Sequence, residues 1–161
     1  MNSRLIKVLF SSAVALYISL VCFNNISDYR SNFPFVTMVA KMEDIFSKEN
    51  NSWRSMNSSF WHYLFFMMIV AVELSIAVLT SFGSFKMITK LRASTIEFRN
   101  AKRYTAFGLS LGVLLWFVVF VSIGGEWFLM WQSKTWNAQN TAFLLTACFL
   151  LFLLHHNQED S

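Results

Sequence analysis

From Phe60 to Ser81 the chain reads FWHYLFFMMIVAVELSIAVLTS, apolar at almost every position. Such a run is about long enough to cross a hydrocarbon core of roughly 30 Å as an α-helix. Inside lipid no water satisfies backbone N–H and C=O groups, so a spanning segment must be a helix or part of a closed barrel. The one carboxylate within the run is that of Glu73. A carboxylate at that depth costs roughly 2.5–3.5 kcal/mol on insertion scales, so it is expected to face other helices rather than acyl chains.

Three further apolar runs supply those helices. With 55% hydrophobic and only 14% charged residues, this composition is far from that of a soluble domain, where about a quarter of residues are charged. We therefore read one integral membrane domain over residues 1–161, with spans at about 6–23, 60–81, 104–123 and 138–154. The fold class expected is all-α, a four-transmembrane-helix bundle with an amphipathic helix in the first external loop.

The first run follows Arg4 and Lys7, as in a secretory signal. No A-x-A site follows it, and Val21 is too large for a lipoprotein cleavage box, so it is expected to remain as the first span. In the loop after it, Phe35, Val36, Val39, Met42, Ile45 and Phe46 recur at helical spacing, with Lys41, Glu43, Asp44 and Lys48 on the other side. Pro34 stands just ahead of this pattern, where a helix can begin.

Gly83 is expected to close the second span. Lys86, Lys90, Arg92, Arg99, Lys102 and Arg103 follow, opposed only by Glu97. Basic residues are retained on the cytoplasmic side, so this loop and both termini are expected there. Contact with anionic lipid headgroups accounts for these charges, and nucleic acid is not expected as a partner. Gly108 and Gly112 form a G-x-x-x-G pair in the third span, suited to close packing with a neighbouring helix. Gly124 and Gly125 are expected to break or bend that helix. Trp127, Trp131, Gln132, Trp136 and Asn137 then form an outer cap, since clustered tryptophans mark a membrane interface. His155 and His156 are read as part of a solvated tail.

Chemistry is sparse. Glu73 is the leading candidate for binding a ligand or proton, and its expected partners are Tyr17, Ser12 or Ser19 of the first span and Thr146 of the fourth. Its structural alternative is a helix-locking carboxyl. His62 lies about 16 Å from Glu73 along the same helix, so the two do not touch. Glu126, Asp28 or Asp44 is the expected partner for His62. No recognised metal-ligand spacing, phosphate loop or nucleophilic triad occurs, and Cys22 and Cys148 form no disulfide framework. No catalytic residue, metal or cofactor is expected, and the chain is not read as an enzyme.

Two stretches carry a family resemblance. Asn25-x-x-Asp28-Tyr29-x-Ser31-Asn32-Phe33, with Gly124-Gly125-Glu126-Trp127-Phe128-x-Met130-Trp131-Gln132-Ser133 and Trp136-Asn137, resembles a bacterial family of predicted small integral membrane proteins, a domain of unknown function. The resemblance implies a four-helix protein of the bacterial inner membrane and implies no activity. The leading functional reading is a non-enzymatic accessory or interaction subunit of a membrane complex, with the bilayer and other membrane subunits as partners. The alternative is a small transporter or ligand-binding protein that uses Glu73, entered near His62 and Glu126.

Overall fold

A computed structural model describes residues 3–160. Six α-helices appear in order: α1 Ser3–Ser27, α2 Tyr29–Lys41, the single turn α3 Lys48–Asn51, α4 Ser59–Thr89, α5 Thr95–Leu114 and α6 Gln139–Asn157. A π-helical stretch, Leu115–Trp127, continues α5. No strand occurs among the described residues. Four helices are long and apolar enough to cross a membrane: α1, α4, α5 with its continuation, and α6. They pack as an all-α four-span bundle.

The pairing of α1 with α4 follows from two stripes of seven-residue period. Val8, Ser11, Ala15, Ile18 and Cys22 are buried on α1, and Phe66, Val70, Glu73, Ala77, Thr80, Ser84 and Met87 on α4. A strict heptad keeps one seam facing its partner along the whole contact. Ser11 Oγ meets Met87 Sδ at 3.8 Å near one end of this antiparallel pair.

Tight approaches hold α5. An added Cβ at Gly83 would lie 2.5 Å from the Thr105 backbone nitrogen, and one at Gly108 would lie 2.7 Å from Thr80 Cγ2. At Gly112 it would run into the Phe149 ring of α6. Gly83 therefore does not close a helix. It sits inside α4, which runs on to Thr89, and lets the α5 backbone come close. Ser94 and Glu97 start α5 with a reciprocal capping box. Arg4 donates to the carbonyls of Leu91 and Ala93 (3.3 and 2.6 Å), tying the start of α1 to the α4–α5 turn.

Two boundaries differ from the expectation for physical reasons. Helix α2 begins at Tyr29, so Pro34 lies inside it rather than ahead of it. Asn32 donates to the carbonyls of Asp28 and Asn24 across the α1–α2 junction, so the helical path resumes there before the proline. The helix also ends early. Met42 adopts a left-handed conformation (φ 54°) and buries its side chain, leaving Asp44, Ile45 and Phe46 beyond the helix. A non-glycine residue in that region costs about 1–2 kcal/mol, offset here by burial against Ile45, Phe128 and Leu129.

Gly124 and Gly125 do not break the third spanning helix either. The chain widens to i→i+5 bonding upstream of them and passes through both to Trp127, as in the bond from Phe128 N–H to the Ile123 carbonyl (3.0 Å). Gly124 lies beside Met130, and Gly125 against the Gln139 side chain. Helix α2 seats on α4 through aromatic rings, Phe33 stacking on Tyr63 at 4.6 Å and meeting Phe66 edge-on at 5.8 Å.

Candidate functional site

Glu73 lies near the middle of α4, only 1% exposed. Asn25, in the last turn of α1, donates its Nδ2–H to Glu73 Oε2 over 2.7 Å. The partner therefore comes from neither of the expected sets. Thr146 bonds the Ala142 carbonyl of its own helix, and among the described residues Tyr17, Ser12 and Ser19 make no hydrogen bond to the carboxylate. Asn25 is the next heptad position after Cys22 on the buried stripe of α1. That spacing is the sequence signal that points to it.

The other candidates are drawn into separate local contacts. His62 is buried, and its Nε2 lies 2.7 Å from the Met56 carbonyl instead of a carboxylate. Glu126 accepts from Gln139 Nε2 at 3.1 Å. Asp28 is exposed at the α1–α2 junction. Asp44 accepts from Ser133 Oγ (2.8 Å) and Thr135 N–H (3.2 Å). These bonds, that to Ser133 first, hold the Asp44 carboxyl below the usual carboxylate range. Among the described residues no three His, Cys, Asp or Glu side chains gather as a metal site.

Beside Glu73, an apolar cavity of about 280 Å³ opens between α2, α4 and the π-helical stretch. Val36, Ile69, Val72, Val119, Phe120 and Ile123 are among its walls, and none of its lining residues is ionisable. Glu73 points elsewhere, toward α1. No polar route in this cavity joins Glu126 to Glu73.

The tryptophan-rich end is knit to the first loop. Arg54 lies over both Trp53 (5.2 Å) and Trp127 (5.7 Å). Phe46 packs on Trp131, and Phe35 on Trp136. Gln132 Oε1 accepts from Ser47 Oγ and N–H, while Asn137 donates to the Trp131 carbonyl and accepts from Gln139 N–H. A cap made of two distant segments results.

A polar cluster occupies the opposite, basic end, and sequence reading missed it. His156 is 2% exposed rather than solvated, its Nε2 lying 3.0 Å from the Lys102 carbonyl. Lys7 donates to Asp160 Oδ1 at 2.6 Å and to the carbonyls of Gln158 and Glu159. Lys102 reaches both Asp160 oxygens. Burial works against the Asp160 anion, but the two lysines outweigh it and hold the carboxyl below its ordinary range. The sequence hints at this contact only through opposite charges near its two ends, Arg4 and Lys7 at one and Glu159 and Asp160 at the other.

Comparison with known proteins gives one match. A family model described as predicted small integral membrane protein (DUF2165) matches residues 3–159. No curated protein matches the chain, and no solved structure does.

Proposed function

The chain belongs to the DUF2165 family of small integral membrane proteins, and from that premise we propose that it acts as a non-enzymatic accessory or interaction subunit of a membrane complex. The observation that carries this reading is the closure of Glu73. Its carboxylate is buried and bonded to Asn25, and the neighbouring cavity presents only apolar walls. A carboxylate that moves protons or cations needs a polar path, because an unpaired charge in the slab is too costly. A helix-locking carboxyl needs only a fixed donor, which Asn25 supplies.

The surface left for work is then the apolar opening between α2, α4 and the π-helical stretch. An apolar segment of a membrane partner fits its chemistry. We place the chain in the bacterial inner membrane, with both termini and the Lys86–Arg103 turn in the cytoplasm, on the strength of its basic residues. The charges serve the membrane surface rather than nucleic acid.

Extraction of the tagged full-length chain from its native membrane in mild detergent, followed by mass spectrometry, tests the proposal. A membrane protein recovered in fixed ratio, and lost with the cavity-filling variant Ile69→Trp, is the expected result. Recovery as a free monomer alone refutes it.

A further inference from the structure

The basic end of the bundle contains a second cavity, of about 310 Å³, between the start of α5 and the segment after α6. Arg99, Lys102 and Arg103 line one side, and residues 157–160 the other. Positions 99, 102 and 103 fall on one helix face, so three cations converge within a single turn. Lys102 already spends donors on Asp160. Arg99 and Arg103 are both exposed and make no ion pair among the described residues.

The charges around this cavity do not balance. Arg99, Lys102 and Arg103, with Lys7 behind them, face the acids Glu159 and Asp160, and Asp160 is shared between the two lysines. Two guanidinium forks are left beside the end of α6, a helix long and apolar enough to cross a membrane. Guanidinium groups bind phosphate oxygens through paired N–H donors, which an ammonium does not reproduce. The volume exceeds the roughly 30 Å³ of a single water several-fold, so a phosphate group fits.

We propose that this cavity, built by Arg99, Lys102 and Arg103, is a binding site for a phosphate group, supplied by an anionic phospholipid headgroup or as free phosphate. The site is distinct from the apolar opening on which the subunit reading rests, and it stands whether or not that reading holds. The Asp160 carboxylate on Lys7 and Lys102 acts as a tethered anion that keeps the lysine pair neutral enough to stay buried. The arginines at the rim remain for the ligand.

The test uses the full chain in nonionic detergent, mixed with equal amounts of phosphatidylglycerol and phosphatidylcholine. Retained lipid is read by native mass spectrometry. Phosphatidylglycerol is expected to be retained about tenfold or more over phosphatidylcholine, and the Arg99→Gln/Arg103→Gln variant to lose that preference. The charge-matched control Lys86→Gln/Arg92→Gln, at the same end but off the cavity, is expected to keep it within about twofold. Circular dichroism and gel filtration establish that both variants are folded, as the exposure of all four side chains except the half-buried Lys86 leads us to expect. Excess inorganic phosphate separates the two sources. If it displaces the lipid and binds with the same dependence on Arg99 and Arg103, the site takes free phosphate; if it does not, the headgroup is the ligand. Equal retention of both lipids with no binding of inorganic phosphate overturns the proposal, as does an equal loss in the control variant.

Discussion

Asn25 and Glu73 meet at 2.7 Å two heptads away from the contact between Ser11 and Met87 on the same pair of helices. The separation is fourteen residues on α1 (11 to 25) and fourteen on α4 (73 to 87), so one antiparallel register satisfies both contacts. A slip of one heptad toward the start of α1 would set the buried, apolar Ile18 opposite Glu73. The role we propose for a carboxylate in the span is therefore to specify register, the best-attested use of a buried polar group.

Substitution at the pair should separate charge from hydrogen bonding. Glu73→Gln keeps an acceptor for Asn25, and we expect stability within about 1 kcal/mol of the parent, as for other hydrogen bonds between membrane helices. Asn25→Ala leaves the carboxyl without its donor, and Glu73→Leu leaves the Asn25 amide unpaired. Each should cost about 1–3 kcal/mol. Reversible unfolding in mixed micelles gives the comparison. A neutral Asn25→Ala together with a damaging Glu73→Gln would show that the charge serves something other than this contact.

Gly108→Ala should destabilise more than Gly112→Ala. The new methyl at 108 meets Thr80 Cγ2 at 2.7 Å and the Thr80 backbone nitrogen at 3.3 Å, and a backbone atom cannot swing aside as a side chain can. At 112 the obstacle is the Phe149 ring, a side chain that can move. Overpacking typically costs about 1–3 kcal/mol, so we place Gly108→Ala at the upper end of that range. Gly112→Ala should recover most of its loss in combination with Phe149→Leu. Thermal unfolding of the two single variants and the double variant decides the order.

What the sequence made legible was whatever depends on burial alone. Four apolar runs gave four spans, because lipid leaves the backbone no other way to satisfy its hydrogen bonds. The partner of Glu73 was missed because it depends on which residues of α1 and α4 stand level, and a polar asparagine at the end of an apolar run reads as loop. The burial of His156 was missed for a related reason. Its environment is made by Lys7 and Lys102, which lie far away in sequence and next to it in the fold. Gly83 reads as a helix end because a residue that breaks helices in water also permits close approach between helices in a membrane.

The segment after α6 should detach in acid. In the folded state Asp160 titrates below an ordinary carboxylate, so its contribution is fully present above about pH 4, the unfolded value. It is lost as pH falls through the lowered folded value. The groups facing it are Lys7, Lys102 and His156, and protonation of Asp160 removes the carboxylate that the two lysines share. Protection against hydrogen exchange over residues 155–160, relative to the intrinsic rate at each pH, should therefore fall steeply below about pH 4 in the parent. Asp160→Asn should show that loss of protection already at neutral pH. Parallel pH profiles for the two proteins would remove the ion pair from the explanation.

Asp44 makes the corresponding prediction at the opposite end. Its carboxylate joins the first loop to the Trp131–Trp136 turn by accepting from Ser133 Oγ and Thr135 N–H, and Ser133 Oγ in turn accepts from Trp136 N–H at 2.7 Å. The acceptor is exposed, so its removal should loosen the cap without unfolding the spans. Asp44→Ala should raise the rate of proteolysis between residues 43 and 58 about several-fold, since local opening is governed by few contacts there. Ser133→Ala breaks the same relay from the other side and should give a similar rate, and the double variant should add little to either single change, because contacting residues in one network are not additive. Asn at position 44 keeps one acceptor oxygen and should fall between parent and alanine. Independent, additive increases would mean that Asp44 and Ser133 hold the loop by separate means, and the cap would then be a collection of contacts rather than one unit.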